Sequence, residues 1–478
     1  MNRRELLQMS LLAGGAFLAA PAFLHGSASE PSAEDADLPQ DPWSELPAIL
    51  DRIKPPIFPD RSFSITKFGV VADSKTDNTA AFQKAVAACA QAGGGRVVVP
   101  AGEFLTGAIE LKSNVNLHVS KGATIRFTRD TGKYPLVLTR WEGVELMNYS
   151  PFIYAFKQEN IAITGEGTID GNSDCEHWWP WKGRENCGGK KGDPSQENDR
   201  NKLFDMAENG VPVSQRVFGK GHYLRPQFIQ PYACRNVLIE GVSLLGSPMW
   251  QVHPVLCANV TVRGVNISAF GPNTDGCDPE SCTDVLIKDC FFNTGDDCIA
   301  IKSGRNADGR RTSTPARNTV VQGCRMKDGH GGVSVGSEIS GGVSNVFVEN
   351  CHMDSPHLES ALRIKNNAMR GGVLENIYAR NIEVGQVSDA GLSIDFFYEE
   401  GQAGKFTPVV RNVELRNVKV QKADYALFLS GFKDAPIQNV RLVGCDFNDV
   451  AKPNIIENVK DISLRDVHVN GKLLAILK

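Results

Sequence analysis

The stretch Asn236–Val242, NVLIEGV, recurs in altered form through the rest of the sequence. Copies begin 22 to 36 residues apart, and apolar and polar residues alternate within each copy, as on a strand with one buried face. A repeat of this length with variable insertions is typical of a solenoid. The later copies are NVTVRGV from Asn259, DVLIKDC from Asp284, NTVVQGC from Asn318, NVFVENC from Asn345, NIYARNI from Asn376, NVELRNV from Asn412, NVRLVGC from Asn439 and DISLRDV from Asp461.

The repeats contain no segment with helical periodicity, so each coil must consist of strands and turns. This predicts an all-β fold, a single-stranded right-handed parallel β-helix of about ten coils, rather than a leucine-rich horseshoe. The seventh position of every copy is Val, Ile or Cys, and stacked coils would place these side chains in one internal column. Cys290, Cys324, Cys351 and Cys445 are therefore predicted to be small buried hydrophobic residues.

An open β-helix needs a cap on its first coil, and residues 77–95 predict a short N-terminal capping helix. Asp77 is a plausible N-cap, Gly93–Gly95 would end the helix, and strand-like segments follow. We expect the β-helix domain over 59–478, with a long surface excursion at 171–227. The apolar stripe of the helix is Ala81, Ala85, Ala88 and Cys89.

The first 58 residues differ in character from the repeats. Residues 1–28 have the pattern of an export signal, with Arg3 and Arg4 before an apolar run that is too short for a comfortable membrane span. The arginine pair resembles a twin-arginine signal, which predicts a bacterial protein that is periplasmic or secreted. Residues 29–58 contain proline and many acidic residues and are predicted to form a loosely held arm.

Composition narrows the class of partner. The net charge of −4 and the 41% hydrophobic content describe a globular protein without a nucleic-acid footprint. We expect a monomer with no cofactor, no metal and no membrane insertion after signal removal.

Cys175 and Cys187 flank a Gly-rich loop and are the candidate disulfide pair.

Four departures from the plain repeat occur on successive coils, where stacking would bring them to one surface patch. They are Asp275 and Asp278 in GPNTDGCD, Asp296 and Asp297 in NTGDDC, His330 in DGHGGVSVGSE, and Arg363 and Lys365 in LRIKN. Paired carboxylates suit glycoside hydrolysis, because repulsion keeps one of them protonated as an acid while another acts as a base. Arg and Lys suit a substrate carboxylate. A solvated loop and a calcium site are the rival interpretations.

The motifs Asn273-Thr274-Asp275, Asp296-Asp297, Gly329-His330-Gly331 and Arg363-Ile364-Lys365 on a β-helix resemble the polygalacturonase family, glycoside hydrolase family 28. The resemblance is to bacterial exo-polygalacturonases above all, and it implies hydrolysis of α-1,4-linked galacturonic acid in pectin with inversion.

The resemblance also assigns roles to the motif residues. It implies that Asp296 is the general acid, that Asp275 and Asp297 activate water, and that His330 supports the acid. Arg363, Lys365 and Tyr398 would bind the substrate. Inversion predicts a gap of about 6.5–9.5 Å between acid and base. Adjacent aspartates can both face the substrate only if the chain turns, and Gly295 makes a turn plausible.

Exo action with release of mono- or di-galacturonate is predicted because the excursion and the loop Lys302–Arg311 resemble those of exo-acting relatives. Lys302 and Arg305 could hold further carboxylates. Trp250 could stack on a sugar, with His253 beside it, although a buried core position is an equal alternative for Trp250. Endo-polygalacturonase, rhamnogalacturonan or xylogalacturonan hydrolase, a calcium-dependent pectate lyase and a non-catalytic β-helix stay as alternatives.

Overall fold

A computed structural model describes residues 41–475, and the predicted export signal lies outside them. The described chain falls into two units, one ending at Ser44 and one formed by Glu45–Lys478. The second unit is a right-handed parallel β-helix, as predicted, in which three sheets run along the coils. Every helix of the described residues is too short or too polar to cross a membrane.

Sheets one and two join through the long strands of the later coils, whereas the strands of sheet three form a sheet of their own. Sheet one contains Ser62–Ser64, Gly95–Val99, Val115–Val119, Glu159–Gly165, Arg235–Glu240, Ala258–Arg263, Thr283–Lys288, Ala316–Gln322, Val343–Glu349, Val373–Val384, Val409–Val420, Ile437–Phe447 and Val459–Val469. Sheet two contains Gly102–Thr106, Ala123–Phe127, Thr168–Asp170, Ser243–Leu245, Asn266–Ala269, Phe291–Thr294, Arg325–Met326 and His352–Met353, and it continues into the long strands from Val373. Sheet three contains Ile109–Glu110, Ile153–Phe156, Ile229–Tyr232, Ile299–Ile301, Gly329–Val335, Leu358–Lys365, Ala390–Asp395, Tyr425–Ser430 and Ile455–Glu457.

The repeated phrase determines the register of sheet one. Its first residue has a positive φ on each coil, between 51° and 59°, a conformation that Asn and Asp tolerate better than other residues with a side chain. The stacked amides form a ladder in which Asn345 Nδ2 donates to Asn318 Oδ1 at 3.1 Å and Asn376 Nδ2 donates to Asn345 Oδ1 at 3.0 Å. The seventh residues form the predicted internal column. They are buried from Val242 to Val467, including Cys290, Cys324, Cys351 and Cys445.

The predicted capping helix spans Thr79–Gln91 and covers the first coil. Asp77 Oδ1 accepts a 2.9 Å hydrogen bond from Thr79 N, although Asn78 occupies the capping position. Its buried face is Ala81, Phe82, Ala85, Val86 and Cys89. The other α-helices are Leu46–Arg52, Glu197–Glu208 and Asn306–Thr312, and the short 3-10 turns are Pro42–Glu45, Ile65–Phe68, Thr131–Lys133, Trp179–Lys182, Glu185–Cys187 and Val213–Gln215.

The structure corrects the expectation of a loosely held arm up to residue 58. The helix Leu46–Arg52 buries Leu46 and Ile49, and Arg52 forms a 2.9 Å ion pair with Asp284. Apolar burial and this ion pair place the chain from Glu45 onward in the compact unit.

The excursion at 171–227 folds on the coils instead of extending from them. Its helix Glu197–Glu208 packs with an antiparallel hairpin, Leu136–Trp141 and Val144–Tyr149, around a second apolar cluster. The predicted disulfide is not formed, since Cys175 and Cys187 are free thiols. A second antiparallel pairing joins Lys472–Leu473 to the end of the last long strand.

Candidate active site

The predicted motifs meet where the chain enters sheet three. Cys277 pairs with Ile299 and Ile299 pairs with Val333, so these coils are in register. Asp275 and Asp297 therefore occupy equivalent positions on neighbouring coils, two residues before the paired positions. A 2.9 Å hydrogen bond from Gly276 N to Asp297 O joins the two turns.

The turn at Gly295 brings both aspartates to the same face. The strand Phe291–Thr294 of sheet two ends there, and Ile299–Ile301 begins sheet three. A Cβ on residue 295 would collide with the carbonyl oxygen of Gly271, so the close approach requires glycine. Adjacent residues on a regular strand point to opposite faces, so Asp296 and Asp297 can share one face only because the chain bends here.

Asp297 accepts hydrogen bonds from two donors, although it is only 1% exposed. Ser334 Oγ donates to Asp297 Oδ1 at 2.8 Å, and Lys365 Nζ donates to Asp297 Oδ2 at 2.6 Å. Gly331 approaches so closely that a Cβ there would collide with Ser334 Oγ and Asp297 Oδ1. This contact explains why glycine follows His330 in the motif.

Asp296 and His330 form a pair at the surface of the site. Their Oδ1 and Nδ1 atoms are 3.1 Å apart, and Asn273 Nδ2 lies 3.4 Å from Asp296 Oδ2. The hydrogen bond to Asp296, with its charge, raises the pKa of His330 to about 9, although burial opposes this. Burial raises the pKa of Asp296, but His330, Lys365 and Lys302 outweigh it, so the pKa of Asp296 lies below its ordinary value.

Together these shifts favour a protonated His330 beside an ionised Asp296 in the free site, whereas the sequence predicts the proton on Asp296. The assignment of Asp296 as the general acid stays a prediction. The imidazole is 42% exposed, so it is within reach of solvent and of a substrate.

Asp275 and Asp278 lie deeper, beside Lys302. The Nζ of Lys302 is 3.7 Å from Asp275 Oδ2 and 3.6 Å from Asp278 Oδ1. Burial raises the pKa of both aspartates well above the ordinary value, and for Asp275 the charges of Asp296 and Asp278 raise it further. Asp275 Oδ1 is buried and has no hydrogen-bond partner among the described residues.

The three catalytic candidates form one cluster. One carboxylate oxygen from each of Asp275, Asp296 and Asp297 lies within 4.8 Å of the other two. Such a cluster also has the donor type of a cation site. Each carboxylate is already beside a protein cation, namely Lys302, His330 and Lys365 respectively.

Arg363 lies on the coil after His330, and Tyr398 follows the strand of the coil after that. Arg363 Nη1 donates to Glu359 Oε2 at 3.1 Å and to the carbonyl oxygen of His330 at 3.2 Å. The ring of Tyr398 lies 5.6 Å from the Arg363 guanidinium and 5.3 Å from Lys365 Nζ. Arg363 is 20% exposed, so part of its guanidinium can meet a ligand.

The structure corrects the predictions of substrate contact for Trp250 and His253. Trp250 belongs to the second apolar cluster, where the Lys302 ammonium lies 4.3 Å from its ring centroid. His253 is fully buried, with Nε2 2.8 Å from Glu280 Oε2. Both side chains are enclosed by the excursion and the hairpin, so neither can stack on a sugar.

The predictions that Lys302 and Arg305 hold substrate carboxylates are also corrected, because acidic side chains of the protein already form ion pairs with both. Lys302 is 3% exposed and lies 3.2 Å from Glu338 Oε2. Arg305 forms ion pairs with Glu338 at 3.4 Å and with Glu400 at 3.3 Å. Their role is to neutralise buried carboxylates around the site.

Three groups were missed by sequence reasoning. Ser334 and Glu338 follow His330 in GHGGVSVGSE, and the alternation of the strand was a signal that could have placed Ser334 on the catalytic face. Arg225, in the excursion, carried no signal. Its guanidinium is fully buried and donates to Asn273 Oδ1 at 2.8 Å and to Gln196 Oε1 at 3.0 Å.

Comparison with known proteins decides the family. The sequence model of glycosyl hydrolases family 28 matches residues 216–467, which include every motif described above. The chain belongs to this family. A second model, described as rhamnogalacturonase A/epimerase, pectate lyase-like, matches residues 62–127.

Individual family 28 relatives agree with this assignment. The crystal structure of a hyperthermoactive exopolygalacturonase from Thermotoga maritima is 44% identical with a TM-score of 0.86, covering 90% of this chain and 96% of that one. A probable polygalacturonase from Vitis vinifera is 29% identical over 411 residues, 82% of this chain and 75% of the relative. An exo-poly-alpha-D-galacturonosidase from Dickeya chrysanthemi is 25% identical over 383 residues, 75% of this chain and 62% of the relative. The predictions of a family 28 fold and of a glycoside hydrolase are confirmed.

Proposed function

We propose that this family 28 enzyme releases mono- or di-galacturonate from the end of α-1,4-linked polygalacturonate by hydrolysis with inversion. The juxtaposition of three carboxylates, an imidazolium and two further cations supports an acid and base reaction on an anionic sugar. The similarity to the Thermotoga maritima exopolygalacturonase supports the substrate and the mode of action.

In the proposed reaction, a water oxygen attacks the anomeric carbon while the bond from that carbon to the bridging oxygen breaks. Asp275, supported by Asp297, takes a proton from the water. A proton passes from His330 to Asp296 across the 3.1 Å contact and from Asp296 to the leaving oxygen. Asp297 is unsuited as a nucleophile because both of its oxygens already accept hydrogen bonds.

The attachment of the excursion to the catalytic turn carries the proposal of exo action. Arg225 donates to Pro272 O at 2.6 Å and to Asn273 Oδ1 at 2.8 Å, three and two residues before Asp275. Because the guanidinium is fully buried, these bonds fix a folded segment beside the reacting groups. A segment fixed there would close one side of the groove to a continuing polysaccharide.

The test is a time course of products from polygalacturonate with a chelator present. We expect monomer or dimer from the first minutes, without the ultraviolet absorption of an unsaturated product. A ladder of oligomers would overturn exo action in favour of an endo-polygalacturonase. Loss of activity with the chelator, or unsaturated products, would overturn hydrolysis in favour of a lyase. The Asp275→Asn variant controls for contaminating activity.

Export and oligomeric state belong to the same proposal. We infer that residues 1–28 direct export and that 59–478 are the catalytic domain, with the pattern of Arg3, Arg4 and the apolar run as support. A monomer suffices because every group in the proposed reaction comes from one chain. N-terminal sequencing of the mature protein and light scattering test these two statements.

A further inference from the structure

A group of basic side chains in the excursion has no partner that neutralises it. The 3-10 turn Trp179–Lys182 ends at Lys182, and Arg184 follows two residues later. Neither Lys182 nor Arg184 has a side-chain hydrogen bond or ion pair within the described chain, while Lys182 is half-buried. Arg200, by contrast, is paired with Glu142 at 2.7 Å.

The 3-10 turn is fixed next to the catalytic turn. Trp179 Nε1 donates to Ser247 O at 2.9 Å, and Gln196 N donates to Trp181 O at 2.7 Å. Gln196 Oε1 then accepts the 3.0 Å bond from Arg225, the residue that holds Asn273. The position of Lys182 is therefore coupled to the loop that precedes Asp275.

A second line of contacts joins the same region to the catalytic carboxylates. The turn of the hairpin contains Glu142 and contacts Arg305, since Arg305 N donates to Gly143 O at 3.0 Å. Arg305 pairs with Glu338, which pairs with Lys302, and Lys302 lies 3.7 Å from Asp275. Lys182 thus lies near the first of a series of charged residues, Glu142, Arg305, Glu338 and Lys302, that reaches the reacting groups.

The charged residues of this series are paired, whereas Lys182 and Arg184 beside it are not. Burial lowers the pKa of Lys182, Glu142 raises it, and Arg225, Arg184 and Arg200 lower it further, leaving the pKa below its ordinary value. Glu142 is already bound to Arg200, so the surplus there is positive. A partly buried ammonium among guanidiniums is stabilised when an anion binds between them.

We propose that Lys182 and Arg184 form a binding site for the carboxylate of the end galacturonate unit that the excursion encloses. This inference rests on the proposed function and deepens it. Arg363 lies on a later coil than the carboxylate cluster, whereas Trp179 is bonded to Ser247 on an earlier coil. The two basic sites would therefore bind sugar units on opposite sides of the scissile bond, and the enclosed site would recognise the chain end.

The experiment measures kcat and KM on digalacturonate for Lys182→Gln, with Lys191→Gln as a matched control. Lys191 is an exposed lysine of the same excursion. Loss of one hydrogen bond to a charged group lowers affinity about 10- to 100-fold, so we expect KM for Lys182→Gln to rise by about that factor. We expect Lys191→Gln to match the unmodified protein and Lys182→Arg to recover most of the loss.

Two monomethyl esters of digalacturonate, one on each unit, identify the carboxylate involved. The penalty of Lys182→Gln should disappear with the ester on one unit and persist with the ester on the other. A penalty that persists with both esters, or equal KM values for the two lysine variants, would overturn the site. If the unmodified protein cleaves polygalacturonate but not digalacturonate, the same measurements are made on tetragalacturonate and its monomethyl esters. If it cleaves neither digalacturonate nor polygalacturonate, the proposed function fails instead. Unchanged melting temperatures of the variants keep the outcomes separate from misfolding.

Discussion

Lys365 Nζ donates a 2.6 Å hydrogen bond to Asp297 Oδ2, so this cation is bound to a catalytic candidate before any substrate arrives. The resemblance assigns Lys365 to the substrate carboxylate alone. The contact gives it a second effect, since it places a cation against a carboxyl that is 1% exposed. One ammonium group therefore contacts a catalytic candidate as well as the expected position of the substrate carboxylate.

Replacing Lys365 should affect catalysis more than binding. In Lys365→Met the buried charge of Asp297 loses its cation, and we expect kcat to fall about 10²- to 10⁴-fold, the range for loss of a general base. The matched control is Arg363→Gln, because Arg363 contacts Glu359 and a carbonyl but not Asp297. We expect that control mainly to raise KM. Equal effects on KM with kcat retained in both variants would show that Lys365 acts on the substrate only.

Activity should depend on pH with two limits set by different groups. Asp275 must lose its proton to act as a base, and its pKa is raised well above 3.8 by burial and by Asp296 and Asp278. The Asp296–His330 pair must keep its proton, and the raised pKa of His330 is about 9. We therefore expect kcat/KM to rise through the first pKa and to fall as pH increases through about 9.

Two substitutions separate these limits. Asp278→Asn removes a charge that raises the pKa of Asp275, so the acidic limb should move to lower pH. His330→Gln should lower kcat and abolish the limb near pH 9, because the group that titrates there is lost. An alkaline limb that persists in His330→Gln would assign that pKa to another group. Profiles of kcat/KM in buffers of constant ionic strength provide the measurement.

The stereochemistry of the product tests the role of the carboxylates. The closest oxygens of the three aspartates lie within 4.8 Å of one another. We expect inversion, because both oxygens of Asp297 already accept a hydrogen bond and Asp275 is the proposed base. Proton NMR of the first turnovers should show β-galacturonate from the α-linked substrate. An initial α-anomer would indicate a covalent intermediate and a nucleophilic aspartate.

The register and the catalytic motifs could be predicted because both repeat or align along the chain. The phrase beginning at Asn236 marks each coil, and the seventh-position column follows from stacking. The burial of Trp250 and Lys302 could not be predicted, because their neighbours come from the excursion and from Glu338 on another coil. A residue type reveals what chemistry a group can perform, but the partners that already occupy it depend on loops without a pattern.

The asparagine ladder should contribute measurably to stability. At Asn345, φ is 59°, and its side chain bonds to the coils on both sides. Asn345→Ala loses both bonds but keeps a Cβ in the left-handed region. That conformation costs about 1–2 kcal/mol for the backbone alone, and no side-chain bond now compensates for it. Asn345→Gly loses the same bonds but accepts the φ value. We expect the alanine variant to be the less stable in thermal unfolding followed by circular dichroism, and equal losses would contradict the backbone argument.

Cutting the attachment of the excursion should change the products as well as the rate. In Arg225→Met the guanidinium no longer holds Asn273 Oδ1, Pro272 O or Gln196 Oε1, and a buried group left unpaired costs about 1–3 kcal/mol. We expect the excursion to loosen, so that longer oligogalacturonates appear beside monomer or dimer. Lys191→Gln, in the same excursion but exposed, should keep the original products. Chromatography of early time points provides the measurement. A slower Arg225→Met enzyme with the same product lengths would mean that Arg225 positions Asn273 without closing the groove.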